Sequence, residues 1–323
     1  MPKNQNYLTA TGKIPYNMTN DYMFRAILQK NEKVLRGLVS SMLHMRVDNI
    51  IDIRIDNPIV LGEAINKKTI VLDIRITLNN NTNINLEMQV INERNWTDRS
   101  LFYLCRTFCQ LDQGNDYNEL LPTIHIGFLD FTLFPDLPEF FALYKLLNTK
   151  NYHLYSDKFT LNVVDLNRTD LATDEDKAYG IDQWVKIFKA TTWEELRMLS
   201  ENNEYVKEVM NTMYECNVDC DICKQCSDRA AELAFQQMEE RRKKKLEEEY
   251  KQLEIETAKL KAQCAQLNAD YTQLNDDYTQ LNDDYSQLND EINAKDAEIN
   301  LLENENASLK ARIAFLENMK SNA

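Results

Sequence analysis

The chain has 323 residues, of which 28% are charged and 43% hydrophobic, and its formal net charge is −15. The length predicts two domains. The sequence contains no charged-then-apolar N-terminal segment and no run of about 18 apolar residues, so neither a signal peptide nor a membrane span is indicated. We therefore expect a cytoplasmic protein. Residues 228–323 carry 21 acidic and 13 basic residues and the remainder 31 and 24, so neither part has the basic composition typical of nucleic-acid binders.

Short helices follow a polar N-terminal arm, residues 1–17. Asn20 or Thr19 can cap a first helix, and a second helix is expected at about 32–43. The apolar residues of the first helix recur at helical spacing, and they are Met23, Phe24, Ile27 and Leu28. Residues 51–55 then alternate Ile with charged residues, which predicts a strand that ends at an Asn-Pro pair.

Residues 69–91 predict two alternating strands around an Asn-rich turn. One face would carry Asp73, Arg75, Glu87 and Gln89, and the other Leu72, Ile74, Ile76, Leu86 and Met88. A hairpin that is symmetrical about Asn80 places Asp73 opposite Glu87, with Cβ atoms about 5 Å apart. Carboxylates at this distance repel each other unless a cation lies between them, and a hard divalent cation suits oxygen ligands. The alternative is a solvent-exposed sheet face, where scattered acids are common.

The segment after the hairpin predicts one helix, two strands and two short helices. They are a helix from Arg99 to Gln113 closed by Gly114, strands at 123–131 and 161–166, and helices at 181–188 and 193–198. The order of helices, three strands, helix and strand predicts a mixed α/β sheet flanked by helices. The helix between the strands would supply the crossover connection.

From about residue 230 the pattern changes to a heptad repeat without Gly or Pro. Leucine recurs every seven residues from Leu246 to Leu288, which defines d positions, and apolar residues fill most a positions through Ile313. Near-identical heptads at 270–290 place Asp at g and Asn at e. Partner choice must therefore come from the a and d residues, and Asn306 at an a position can fix the register. This predicts a long coiled coil that self-associates, the alternative being a lone solvated helix.

Several motifs together resemble the PD-(D/E)XK nuclease family transposases, also called recombination-promoting nucleases. They are NDYMFRAIL at 20–28, IRIDNP at 53–58, LDIR at 72–75, LEMQ at 86–89 and the segment 98–134 with its RxxxY helix. The resemblance covers about residues 18–200 in unbroken order. It implies a restriction-endonuclease-like fold and magnesium-dependent DNA cleavage.

The resemblance also implies roles for individual residues. Asp73 and Glu87 would coordinate Mg²⁺ or Mn²⁺, and Gln89, which stands where the wider superfamily has Lys, would orient the attacking water. Two further acids are candidate outer ligands. Asp21 begins the first helix and Glu63 lies in the loop before Asp73, and the alternatives are a helix-start acid and a solvated loop acid.

Arg99, Tyr103 and Arg106 follow the spacing i, i+4 and i+7, so they share one face of their predicted helix. In one interpretation the arginines bind DNA phosphates. In the other they form salt bridges with acids of the sheet while Tyr103 packs between them. The three histidines are too scattered to indicate a metal site, and His125 lies in a predicted buried strand.

Four of the seven cysteines fall within eleven residues, at Cys216, Cys220, Cys223 and Cys226. Such spacing can hold zinc or an iron–sulfur cluster, but offsets of four, three and three also form one stripe on a helix. Because the flanking residues are strongly helical, we predict a packed stripe without metal. Without a secretion signal, reduced thiols are expected rather than disulfides.

We therefore predict a Mg²⁺-dependent DNA endonuclease linked to recombination or transposition. Its predicted parts are a nuclease-like domain at 18–200, a helical bridge at 201–229 and a coiled coil at 230–320. A dimer is expected, because cutting both strands of a duplex needs two copies of a single-site nuclease. The alternative is a nuclease-like fold whose chemistry has lapsed and that serves as an interaction protein.

Overall fold

A computed structural model describes residues 6–59, 61, 73–109, 111, 114–201 and 203–321. The chain divides into two units, Met1–Arg242 and Lys243–Ala323. Among the described helices, none combines the length and the apolarity that a membrane crossing requires.

The first unit combines helices with one sheet. The strands are β1 (Ile53–Ile55), β2 (Ile74–Leu78), β3 (Thr82–Gln89), β4 (Thr123–Leu129), β5 (Phe141–Leu147) and β6 (Leu154–Asp165). The helices are α1 (Asp21–Lys30), α2 (Glu32–Met42), α3 (Trp96–Phe108), α4 (Asp174–Ala178), α5 (Ile181–Lys189), α6 (Trp193–Ser200), α7 (Glu204–Val218) and α8 (Cys220–Ser321). Single 3-10 turns occur at Asn6–Leu8, Val47–Asn49, Tyr117–Glu119 and Thr169–Leu171.

The six strands form one mixed sheet in the order β1-β2-β3-β4-β6-β5. β1, β2 and β3 are antiparallel, β3, β4 and β6 are parallel, and β5 pairs antiparallel with β6. The helix α3 makes the crossover from β3 to β4, as a parallel pair requires. The predicted mixed α/β sheet flanked by helices is therefore confirmed.

The predicted hairpin register is confirmed. Pairs from Ile74 with Leu86 to Leu78 with Thr82 are symmetrical about Asn80. Asn79 and Asn80 both have positive φ, at 51° and 54°, which Asn tolerates better than most residues. The even-numbered side chains are buried in the main core, as predicted, and they are Ile74, Ile76, Leu86 and Met88. Leu72 lies outside the described residues.

The two faces of the sheet are covered by different helices. The even-numbered face packs against α1 and α5, where the Phe24, Phe128 and Phe188 rings have centroids 5.2 to 5.7 Å apart. The odd-numbered face lies under α3, whose Trp96 belongs to a second, smaller apolar cluster. Carboxylates on the odd-numbered face are therefore enclosed by a helix instead of facing solvent.

Several predicted boundaries were wrong. The helix α3 ends at Phe108 instead of Gln113, because the Cys109 backbone leaves the helical region with ψ 57°. β1 begins at Ile53, and Ile51 is exposed. β5 and the first half of β6 were not predicted. β5 lies at an edge and is exposed over most of its length, so it lacks the period-two pattern of a half-buried strand.

The cysteines do not form one stripe on a single helix, so this prediction was wrong. The helix α7 ends at Val218, and Asp219 caps α8 by accepting from the Asp221 and Ile222 amides at 3.1 Å. Cys216 at the end of α7 and Cys226 on α8 are both buried in the main core. The segment expected as a bridge thus contributes α7 and the first turns of α8 to the packing of the first unit.

In the second unit, α8 presents its predicted a and d side chains to solvent. The leucines from Leu246 to Leu316 and the tyrosines and isoleucines between them are 49% to 72% exposed. The heptad pattern is thus carried by a helix, while the coiled-coil pairing remains a prediction.

Candidate active site

Asp73 is held at the start of β2 by its backbone. Its carbonyl accepts from the Asn57 side chain at 3.0 Å and from the guanidinium of fully buried Arg25, which also donates to the Asn57 carbonyl. The Asn57 side chain in turn accepts from the Arg75 amide at 2.9 Å. The IRIDNP and NDYMFRAIL motifs thus contribute the residues that fix Asp73 in place.

Glu87 lies within β3 and is 4% exposed. The Arg99 Nε on α3 donates to Glu87 Oε1 at 2.7 Å, and the Arg99 guanidinium lies 5.5 Å from the centre of the Tyr103 ring. Burial raises the pKa of Glu87 to about 7, although the Arg99 charge acts in the opposite direction. The site therefore places a proton and a cation in competition for the same carboxylate.

His125 on β4 completes the surroundings of Glu87. Asn85 and His125 are paired in the parallel register, and Asn85 Nδ2 lies 3.0 Å from His125 Nδ1. Burial lowers the pKa of His125 to about 3, so the ring is neutral at ordinary pH. With Asn85 donating to Nδ1, the ring hydrogen is on Nε2, which lies 3.7 Å from Glu87 Oε2.

Two carboxylate oxygens in this site have no hydrogen-bond partner among the residues that the structure describes. They are Asp73 Oδ1 and Glu87 Oε2, and both are buried. Burial also raises the pKa of Asp73, and the charge of Asp73 contributes to the raised pKa of Glu87. Buried acceptors without donors are costly, and a divalent cation between them would satisfy both. The residues present therefore fit a hard metal ion.

The described residues contain no group of three or more His, Cys, Asp or Glu side chains that could hold a metal. Two carboxylates are compatible with Mg²⁺, since this ion usually keeps several waters and binds through one or two carboxylates together with substrate phosphate.

A model of the PD-(D/E)XK nuclease family transposases matches residues 18–232, about two thirds of the chain. This chain belongs to the PD-(D/E)XK nuclease family transposases. Membership supports a nuclease or transposase-related function, DNA binding and the use of a divalent metal. No curated protein and no solved structure matches the chain significantly.

Of the remaining predicted catalytic and outer-ligand residues of this PD-(D/E)XK domain, the structure describes Gln89 and Asp21. Gln89 ends β3, and its Nε2 donates to the Ile91 carbonyl at 2.9 Å, which leaves Oε1 to accept. Asp21 is buried, and both its carboxylate oxygens accept from Arg229 of α8 at 2.6 to 2.8 Å. Its role as an outer ligand stays a prediction. Glu63 lies outside the described residues.

The two arginines predicted to bind DNA differ in their surroundings. Arg99 makes the salt bridge to a sheet acid that was one of the two interpretations of this helix face. Arg106 is exposed in the last turn of α3, and its charge lowers the pKa of Asp73 slightly against the effect of burial. Arg106 is thus exposed while Arg99 is engaged with Glu87, and phosphate binding by either arginine stays a prediction.

Three residues near the candidate site were not predicted: His125 and Asn85 beside Glu87, and Arg229 beside Asp21. His125 and Asn85 share the odd-numbered parity of Glu87, and this parity was a usable signal once β4 was known to run parallel to β3. Arg229 is 208 residues away from Asp21, and no spacing in the sequence indicates that the two pair.

Proposed function

We propose that this family member is a DNA endonuclease that depends on Mg²⁺ or Mn²⁺ and acts in recombination or transposition. The observation that carries the proposal is the pair of buried carboxylate oxygens without hydrogen-bond partners, Asp73 Oδ1 and Glu87 Oε2. In a chain of this family, the two are suited to share one divalent cation.

The side chains of the site have distinct roles in this proposal. When bound, the metal lowers the pKa of a water and neutralises charge on the scissile phosphate. Gln89, with its amide nitrogen bound to the Ile91 carbonyl, accepts a hydrogen bond from the attacking water and orients it. Being neutral, Gln89 adds no positive charge. Positive charge comes from Arg99 beside Glu87 and from three arginines near Asp73, which are Arg25, Arg75 and Arg106. Exposed Arg106 binds a phosphate of the DNA backbone.

The test compares plasmid cleavage with and without Mg²⁺ for the natural chain, Asp73→Asn and Glu87→Gln. Both variants keep the shape of the side chain and remove its charge, and both are expected to lose cleavage by a factor of 100 or more. Exposed Asp98 on α3 offers the matched control, because Asp98→Asn removes an acid close to the site but outside it. This control is expected to cleave like the natural chain.

Mn²⁺ binding measured by electron paramagnetic resonance gives a second readout that is independent of cleavage. We expect one site per chain, weakened at least tenfold in Asp73→Asn and in Glu87→Gln. Equal cleavage by all four proteins would contradict the site. A chain that neither binds Mn²⁺ nor cuts DNA would instead support the lapsed interaction protein.

We further propose that the chain acts as a homodimer held by the heptad segment of α8. Each first unit offers one candidate site, and a break in both strands of a duplex then needs two chains. Exposed apolar a and d side chains along this segment support the proposal, because they gain burial only against another helix.

A further inference from the structure

We infer that residues 246–316 of α8 pair with a second copy of this chain as a parallel, in-register, two-stranded coiled coil. The inference rests on the self-association proposed above and is independent of the chemistry of the site. Three observations carry it: the exposed apolar stripe, the charges that flank it, and the polar residues that interrupt it.

The stripe runs the length of the segment and is exposed in the second unit, with interruptions by Lys295 at d and by Thr257, Cys264 and Asn306 at a. Its d positions are Leu246, Leu253, Leu260, Leu267, Leu274, Leu281, Leu288, Leu302, Leu309 and Leu316, and its largest a residues are Tyr250, Tyr271, Tyr278, Tyr285, Ile292, Ile299 and Ile313. Each of these side chains is 49% to 72% exposed. Ile at a with Leu at d, as in the last third of the segment, is the combination that favours two parallel strands.

The three tandem heptads at 270–290 favour a parallel partner. In a parallel pair, a g residue lies beside the e residue of the partner's next heptad. Asp270, Asp277 and Asp284 would then meet the partner's Asn275, the partner's Asn282 and the partner's Asn289. An amide can donate to a carboxylate, so every contact in this stretch is favourable or neutral. C-terminal to the tandem heptads, however, the parallel register brings Glu291 beside the partner's Asp296 and Glu298 beside the partner's Glu303.

In an antiparallel pair, g residues lie beside g residues. The g positions from 249 to 312 are acidic except for Gln263 and Arg312. Full overlap would place Asp277 against the partner's Asp284 and Asp270 against the partner's Glu291, and these like charges repel. The repulsion occurs in the middle of the segment, where the bulky Tyr residues at a already loosen the packing.

Contacts within the helix keep these aspartates at the edge of the stripe. Gln266, Gln273 and Gln280 each donate to the Asp four residues later, at 2.8 to 2.9 Å. Each contact uses one carboxylate oxygen, Oδ1. The other oxygen remains for the amide of the partner's Asn.

The register is set outside the tandem heptads, because identical heptads tolerate a slip of seven residues at little cost. Asn306 occupies an a position between Ile299 and Ile313. Only the in-register parallel pair places Asn306 against the partner's Asn306, where the two amides satisfy each other. A slip of one heptad would bury each amide against Ile, which costs about 1–3 kcal/mol per unsatisfied group. Cys264, also at an a position, lies opposite the partner's Cys264 in the same register.

The first experiment uses Cys264 as a native reporter of direction and register. In the full chain, exposed Cys105, Cys109 and Cys220 are changed to Ser, which leaves Cys264 as the exposed thiol. Copper-phenanthroline then oxidises two facing thiols to one disulfide. We expect most of the chain to run as a covalent dimer on a non-reducing gel, because a positions of a parallel pair have Cα atoms within disulfide range. The matched control, the same chain with Cys264→Ser, is expected to stay monomeric on the gel.

The second experiment reads direction from charge. Asn275, Asn282 and Asn289 are replaced together by Lys. In a parallel pair each new Lys meets an Asp of the partner, and the dimer dissociation constant should fall by roughly tenfold. In an antiparallel pair e lies beside e, so the same substitution would make lysines meet and weaken the dimer.

The outcomes separate the parts of the inference. A cross-link through Cys264 together with a tighter dimer supports it. The parallel register is overturned if light scattering finds a dimer that does not form the Cys264 cross-link. It is also overturned if the three lysines weaken the dimer. A trimer overturns the strand number, and a monomer at micromolar concentration overturns the pairing itself. None of these readouts uses DNA cleavage, so they stand apart from any failure of the nuclease proposal.

Discussion

At the scale of single residues, Glu87 is the group on which burial and the Arg99 charge act in opposite directions. Its Oε1 accepts from Arg99 and its Oε2 has no hydrogen-bond partner. The raised pKa of about 7 arises mainly from burial, so the carboxylate is partly protonated at neutral pH in the metal-free protein. In the proposed site, a divalent metal would have to displace this proton and weaken the contact with Arg99.

The raised pKa makes a prediction about stability and pH. An unfolded Glu titrates near 4.5, so the folded state binds the Glu87 proton more tightly. This contribution is fully present below pH 4.5 and is lost as the pH rises through 7. The natural chain in EDTA should therefore lose up to about 3 kcal/mol between pH 4.5 and 8 through Glu87. Glu87→Gln should remove that slope.

Urea unfolding followed by tryptophan fluorescence measures this, because all three Trp lie in the first unit. Glu93→Gln is the matched control, since Glu93 is an exposed acid close to Arg99. Its slope should equal that of the natural chain. An unchanged slope in Glu87→Gln would show that burial does not raise the Glu87 pKa.

A second residue-scale prediction concerns Arg99→Gln. Removing the cation takes away a competitor at Glu87 Oε1 but also a charge that lowers the Glu87 pKa. Mn²⁺ should therefore bind several-fold more tightly at pH 8.5, while the pH midpoint of binding moves upward. Mn²⁺ titrations from pH 6 to 9 measure both effects.

Arg106→Gln is the control for this experiment, because Arg106 lies on the same helix and is exposed. It should change Mn²⁺ binding much less than Arg99→Gln. It should also reduce the slope of log DNA affinity against log salt concentration by about 1, which corresponds to the loss of one phosphate contact. Identical Mn²⁺ affinities in the natural chain and in Arg99→Gln would mean that the ion pair does not compete with the metal.

At the scale of elements, the helix α3 is placed on the sheet by Trp96 and Gly127. Gly127 is paired with Glu87 in the parallel register, and a Cβ at Gly127 would lie 2.1 Å from Trp96 Cζ2. The absence of a side chain here lets the indole lie directly on the strand. Arg99 follows one turn later on α3, so the same contact positions the counterion of Glu87.

We therefore predict that Gly127→Ala displaces the start of α3. The clash should lower the free energy of unfolding by about 1–3 kcal/mol, because a packed ring must move. Mn²⁺ binding should change in the same direction as in Arg99→Gln. Adding Trp96→Leu should restore part of the stability, which urea unfolding of the two single variants and the double variant would measure. Additive losses in the double variant would contradict the proposed contact.

At the scale of the whole molecule, the first turns of α8 belong to the first unit. Arg229 forms the buried ion pair with Asp21, and the Cys226 carbonyl accepts from the Asn20 side chain at 3.0 Å. The family match likewise extends to residue 232, beyond both contacts.

Two shortened chains should therefore behave differently. A chain that ends at Arg242 keeps the whole first unit, and it should be a folded monomer that nicks plasmids instead of linearising them. A chain that ends at residue 228 lacks Arg229 and leaves Asp21 buried without its partner, which should cost about 3–5 kcal/mol. Light scattering, urea unfolding and plasmid cleavage measure these differences. A dimeric chain ending at Arg242 would refute the role of the heptad segment.

Periodic features of this protein could be predicted from the sequence. The alternation of 73–89 gave the buried face and the register about Asn80, because side-chain direction in a strand depends only on parity. The heptads of 246–316 predicted a helix, because side-chain direction in a helix likewise depends only on residue spacing. The motifs around Asp73 and Glu87 predicted the family. The edge strand β5 escaped prediction, because exposure removes the period that marks a half-buried strand.

The sequence by itself therefore determined the strand parity, the helix of the second unit and the family, while a metal site at the carboxylates of Asp73 and Glu87 stays a prediction. Only the tertiary structure decided what surrounds those carboxylates. Arg99 pairs with Glu87, His125 lies beside it, and Arg229 takes both oxygens of Asp21 from 208 positions away. Local periodicity follows from backbone geometry. Such pairings depend on how helices pack across the sheet, and the spacing of residues along the chain does not indicate this packing.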